Sequence, residues 1–174
     1  MKVLLAVDGS RSAGRARDLT ASIRWSSGTR IEVLHVDQLL EGDLNLPPDR
    51  YTALHERERK FIDKQLETAA RALRGPNRTV RAKTVLGRPA SVIVEEAARI
   101  GADLVIVGSH GRGPFASAVL GSVAAEVVDH APCPVLVARG TTLKRAVLAE
   151  DGSPGARTAE RLLGHKAGEV IGRK

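Results

Sequence analysis

Aromatic side chains are almost missing from this sequence: Trp25, Tyr51, Phe61 and Phe115 are all of them in 174 residues. A core without rings has to be filled by Val, Leu, Ile and Ala, and a base-stacking surface for nucleic acid has no material. Cysteine is reduced to Cys133, which excludes an internal disulfide and suits a reducing compartment. No apolar run nears the roughly 18 residues that a membrane span needs. Arg11, Arg15 and Arg17 follow the first apolar run too closely for a secretory leader. The expectation is a soluble, cytoplasmic protein with no membrane partner. No Cys-x-x-Cys, no His-x-Gly-His and no helix with paired carboxylates occurs, so no catalytic residue and no metal ligand is assigned. The net charge of +7 invites a nucleic-acid reading. The arginines, however, spread along the expected helices without an accompanying aromatic set, so no nucleic-acid partner is expected.

What the sequence does contain is alternation of two periodicities. Lys2 to Val7 reads as a short buried strand ending at Asp8-Gly9-Ser10, and Ser10 can cap a helix whose stripe is Ala13, Ala16, Leu19, Thr20 and Ile23. Ile31 to Val36 reads as a second strand, with His35 packed in it. The connection from Asp37 to Asp49 is long and carries Pro47-Pro48. A long amphipathic helix follows, with Leu54, Phe61, Ile62, Leu66, Ala69, Ala70 and Leu73 on one face, ending near Gly75-Pro76. Thr79 to Leu86 alternates but is more polar, which places it at a sheet edge. Pro89 opens a helix carrying Val92, Ile93, Ala97 and Ile100. Strand-helix alternation of this kind predicts a parallel sheet covered on both faces.

The stretch from Asp103 to Val137 organises the rest. Leu104 to Val107 is a buried-strand run that breaks at Gly108, and the loop closes at Gly121-Ser122 into a helix with Val123, Val127 and Val128. Strand, glycine-rich loop and helix N-terminus together present backbone N–H groups and a positive dipole end to an anion. The spacing excludes a Walker loop, because no lysine follows a loop glycine. It also departs from the dinucleotide fingerprint, since the helix waits until Gly121. The order Gly108-x-x-Gly111, nine residues, Gly121-Ser122, then Ala131-Pro-Cys-Pro-Val-Leu-Val resembles the ATP-binding motif and last strand of the universal stress protein family.

That resemblance covers residues 2 to 138 and implies a three-layer α/β fold: an open, parallel, five-stranded sheet of order 3-2-1-4-5, Rossmann-like and similar to the adenine nucleotide alpha hydrolases. It implies an ATP-binding module of stress response or signalling, nucleotide-dependent more than catalytic, with Mg²⁺ as an optional companion and AMP or another adenine nucleotide as the alternative ligand. Asp8 matches the family residue at the nucleotide; a helix-capping Asp-Gly-Ser turn is the plainer reading. Ala6 and Val36 match positions bordering the base, though as strand-end residues they also suit the core. Gly108, Gly111, Gly121 and Ser122 are read as the phosphate and ribose cradle. Arg112 is the cation of that loop, and Val107 and Val123 border it. A slow ATPase or phosphotransferase using Asp8 and Mg²⁺ stays open, as does a protein-interaction module without nucleotide. His110 has no nucleophile or carboxylate placed with it at recognisable spacing. Family resemblance further implies a homodimer through the last strand.

The C-terminal stretch repeats the N-terminal one. Leu148, Ala149, Asp151, Gly152, Ser153, Ala156, Ala159 and Leu162 match Leu5, Ala6, Asp8, Gly9, Ser10, Ala13, Ala16 and Leu19, at a constant shift of 143 from Asp8 to Asp151. A repeat of this kind is a duplicated unit. The expected organisation is a nucleotide-binding domain over residues 1–140. Residues 141–174 would form a linker and a partial second repeat, like a tandem universal stress protein stopped early in its second domain. An apolar stripe at Ala156, Ala159, Leu162 and Leu163 cannot bury itself alone, so this repeat is a second expected route to self-association.

Overall fold

The computed structural model describes residues 1–38, 48–111 (backbone only over 48–58) and 120–139. Nine elements follow one another in these stretches: β1 (Lys2–Ala6), α1 (Arg11–Ser22), β2 (Thr29–Asp37), α2 (Pro48–Leu73), β3 (Arg78–Leu86), α3 (Pro89–Ile100), β4 (Leu104–Gly108), α4 (Ser122–His130) and β5 (Val135–Ala138). The strands form one parallel sheet in the order β3-β2-β1-β4-β5, the order that the resemblance implied. β3 lies at one edge, where its polar alternation placed it.

Odd and even strand positions feed separate cores, because successive side chains leave a strand on opposite faces. On one face Val3, Leu5, Ile31, Val33 and Ile106 pack with Ala13 and Ala16 of α1 and Ile62, Leu66, Ala69 and Leu73 of α2. On the other, Leu4, Leu34, Val105 and Val107 pack with Val92, Ile93 and Ala97 of α3 and Ala124 and Val127 of α4. Burying a Leu or Ile in this way is worth about 1.5–3 kcal/mol each, so the aliphatic layers carry the stability that aromatics supply elsewhere.

Two local expectations change, and one feature is new. α1 stops at Ser22, one residue short of Ile23 in its expected stripe, and Trp25 folds back beneath it, buried, with Nε1 donating to the Thr20 carbonyl at 2.8 Å. Phe61, expected on the buried face of α2, is 48% exposed. It lies one helical position before Ile62, and the core takes Ile62 instead. On the α3 face the sheet carries a polar cluster that periodicity does not reveal. Lys83 Nζ of β3 meets Glu32 of β2 at 2.9 Å and Glu96 of α3 at 2.5 Å, and Arg99 reaches both carboxylates. The 39–47 connection, Leu54 and the 141–174 repeat lie outside the described residues or side chains.

Candidate functional site

In this strand order β1 and β4 are neighbours, and the winding direction reverses between them. Open α/β sheets hold ligands outside the carboxyl ends of such strands. Asp8 follows the end of β1 and Gly108 closes β4, so topology brings the two motifs to one crevice. Atomic contacts tie them together there. Asp8 Oδ1 accepts the Ser10 backbone N–H at 2.9 Å, shaping a tight turn in which Gly9 takes the left-handed φ of 78° that favours glycine. Ser10 Oγ then serves twice: it accepts from Ala13 N at 3.1 Å as the N-cap of α1, and it donates to the His110 carbonyl at 3.3 Å. The plainer reading of the Asp-Gly-Ser turn as a helix cap is therefore correct, and the same turn also braces the β4 loop.

The glycines of the loop have different reasons. A Cβ on Gly108 would lie 2.6 Å from the Ser12 carbonyl carbon and 2.8 Å from Ala13 N. Glycine here lets the first turn of α1 press against the end of β4. A Cβ on Gly111 would stand 3.1 Å from Oδ2 of Asp8, so this glycine keeps the space beside the carboxylate clear. A Cβ on Gly121 would meet the His110 Cα at 3.1 Å and the Ser109 carbonyl at 3.2 Å. Gly121 N also donates to that carbonyl at 2.7 Å, while Ser109 N donates to Ala138 O at 3.0 Å. The two ends of the loop are thus fastened together and to β5 before α4 begins.

Ser122 is the first residue of α4 and is exposed, so its backbone N–H and hydroxyl stand at the positive end of the helix dipole. Ala6, Val36 and Val123 are half-buried against the α3/α4 core and Val107 is buried in it. These four candidates share the α3/α4 layer of the core. Arg112 lies outside the described residues. Among the described residues, no group of three or more His, Cys, Asp or Glu side chains is arranged to hold a metal ion, and no helix is long and apolar enough to cross a membrane.

The two histidines near the crevice differ. His110 is half-buried, with Nδ1 3.1 Å from the Ser109 hydroxyl. His35 is buried, and its Nδ1 lies 2.9 Å from the Val7 carbonyl. Packing was legible for His35 from its place in an apolar strand, but its bond to the residue before Asp8 was not. The Ser10–His110 bond was equally hidden, because it ends on a backbone oxygen that any residue supplies. Cys133 is half-buried before β5. Burial and the nearby Asp103 carboxylate push its thiol up to about 11, which disfavours the reactive thiolate.

A doubly wound domain with a glycine-lined crevice at its switch point is the class that this geometry defines. The chain belongs to the universal stress protein family: the sequence profile described as "Universal stress protein family" matches residues 1–139. A universal stress protein of Thermus aquaticus is 35% identical over 137 residues, covering 79% of this chain and 97% of that protein. One from Mycobacterium tuberculosis (strain ATCC 25618 / H37Rv) is 34% identical over 142 residues, and the chain covers 43% of its length. Among solved structures, hypothetical protein MJ0577 superposes with a TM-score of 0.71 at 26% identity, covering 81% of this chain and 97% of that one. A universal stress protein in complex with cAMP superposes at 0.60 with 26% identity, covering 82% and 98%.

Proposed function

We propose that the chain binds an adenine nucleotide, ATP first among them, in the crevice between the Asp8 turn and the 108–122 loop, and acts as a nucleotide-dependent stress or signalling module of the cytoplasm. The observation that carries this reading is the meeting of Asp8 with Gly111, where a side chain would close the space beside the carboxylate. Phosphates suit the loop glycines and the N-terminus of α4, which offer N–H donors to an anion. The layer of Ala6, Val36, Val107 and Val123 suits an apolar base. Asp8 suits a ribose hydroxyl or a hydrated Mg²⁺. Support from outside the chain is the universal stress protein solved in complex with cAMP.

Residues 141–174 are proposed as the opening of a second repeat, on the strength of the Asp151-Gly152-Ser153 match to Asp8-Gly9-Ser10. Self-association is proposed through β5, the last strand of the described sheet, through this repeat, or through both. Mass spectrometry of ligand released from freshly purified protein, followed by isothermal titration with ATP, AMP and cAMP, tests the reading. Tightest binding of ATP, weakened by Asp8→Ala, is expected. No adenine nucleotide in either experiment would end it. Light scattering of a chain lacking 141–174 tests the association: ATP binding should survive while the mass falls. An unchanged mass removes the tail from the assembly.

A further inference from the structure

We propose that His35 is a positioning residue for the nucleotide crevice: its ring holds the Val7 carbonyl and thereby sets the Asp8 turn. This deepens the proposed function and rests on that reading for its binding readout.

A parallel ladder satisfies Val7 on one side only. Val7 N donates to the Leu34 carbonyl at 2.9 Å, the last rung between β1 and β2. Its own carbonyl would next accept from the backbone of β2, but the chain turns away at Asp8. Val7 is buried, so that carbonyl needs a partner inside the protein. His35 supplies it from a side chain that is 5% exposed, at 2.9 Å. A carbonyl only accepts, so Nδ1 carries the hydrogen and the tautomer is fixed by this contact. Val7 is therefore pinned to β2 through both of its peptide groups, one bonded to Leu34 and the other to the ring of the next residue.

The peptide so pinned is the one that joins Val7 to Asp8. Asp8 Oδ1 accepts from Ser10 N, and its Oδ2 is the atom nearest the space kept open by Gly111. Ser10 in turn contacts the His110 carbonyl. One ring in the core thus fixes the entry angle of a turn whose carboxylate faces the ligand and whose serine braces the loop. A leucine at this position could fill the volume but could not donate. A merely structural role would lower stability without coupling to Asp8, and that difference can be measured.

The test uses the full-length chain with ATP as probe. His35→Leu should weaken ATP binding about tenfold, the scale of one lost buried hydrogen bond. His35→Asn places an amide N–H close to the position of Nδ1 and should restore binding to within about threefold. In an Asp8→Ala background the His35→Leu effect should shrink to less than about twofold, because the group it positions is gone. A full tenfold effect in that background overturns the proposal, and so does an unchanged affinity in a folded His35→Leu protein. If His35→Leu does not fold, His35→Gln, whose donor sits a methylene too far out, carries the same expectation. Amide exchange at Ser10 is read in all variants and compared with Val105 in the core. His35→Leu should speed Ser10 about tenfold more than Val105, and His35→Asn should not. Should the wild-type chain bind no adenine nucleotide, the nucleotide reading fails, yet the exchange rates still decide whether His35 sets the turn. Equal effects at Ser10 and Val105 would refute it.

Discussion

Oδ2 of Asp8 and the Cα of Gly111 face each other so closely that a single methyl group on the glycine would stand 3.1 Å from the carboxylate oxygen. The contact joins the turn after β1 to the loop after β4. Gly111 is itself exposed, so filling this space should cost binding far more than stability. Gly111→Val is expected to lower ATP affinity at least about tenfold, roughly 1.4 kcal/mol, with a melting temperature within a few degrees of wild type. Isothermal titration and calorimetry check both halves. Unchanged affinity in the folded variant would remove Gly111 from the site. Gly121→Val should differ, because its Cβ would press on the backbone of Ser109 and His110, and a stability loss should accompany the loss of affinity.

Gly108 and Gly14 should respond in opposite directions to the same substitution. Alanine at Gly108 drives a methyl into the backbone of Ser12 and Ala13, which cannot yield like a side chain, so a loss of about 1–3 kcal/mol is expected from overpacking. Gly14 lies inside α1 with nothing within 4 Å of an added Cβ. Alanine there should stabilise by about 0.5–1 kcal/mol through the backbone entropy of the unfolded chain. Urea unfolding of the two variants measures both. A neutral Gly108→Ala would mean that α1 can retreat from β4.

The Glu32–Lys83–Glu96–Arg99 cluster should impart acid sensitivity. Burial opposes ionisation of Glu96, but hydrogen bonds and charges from Lys83 and Arg99 outweigh it and hold the carboxyl below its ordinary value of 4.5. A depressed folded value means a contribution present above pH 4.5 and lost as pH falls through the folded value. Glu96→Gln should therefore cost about 1 kcal/mol at pH 7, a figure discounted for solvent screening. The gap from wild type should narrow toward pH 3. Denaturation midpoints across that range test it, and a gap that stays constant would show that charge is not the cause.

Cys133 gives the opposite sign. Its thiol is held up to about 11 against an ordinary 9.0, by burial first and by Asp103 second. The folded state keeps the proton that the unfolded state releases, so the contribution is full below pH 9 and lost between 9 and 11. Relative to Cys133→Ser, wild type should lose stability over that window. Iodoacetamide should label folded protein at pH 8 far more slowly than unfolded protein. Equal labelling rates would contradict the raised value of the thiol.

The sheet and its helices were largely legible because each element repeats one simple period over enough residues: the run Leu104 to Val107 and the stripe Ile62, Leu66, Ala69, Leu73 have few competing readings. Strand order was not contained in periodicity and came from the family resemblance. Phe61 misled because helical spacing allows two neighbouring positions to claim one face, and only packing selects Ile62. The candidate site was legible as residue types, Asp8 and the glycines. The reasons for them were not, since Gly108 serves a helix contact and Gly111 a clearance. Partners such as the Val7 and His110 carbonyls leave no mark in a sequence.

The sheet that carries the site also works as a partition. Its two aliphatic layers share no side-chain atoms across the backbone, so substitutions such as Leu66→Ala below α2 and Ile93→Ala below α3 belong to separate compartments. The crevice residues Ala6, Val36, Val107 and Val123 draw on the α3/α4 compartment alone. Substitutions that tune this apolar layer therefore belong to the α3/α4 side, whereas the α1/α2 side reaches the crevice through Val7, the Ser10 cap and the contact of α1 with Gly108.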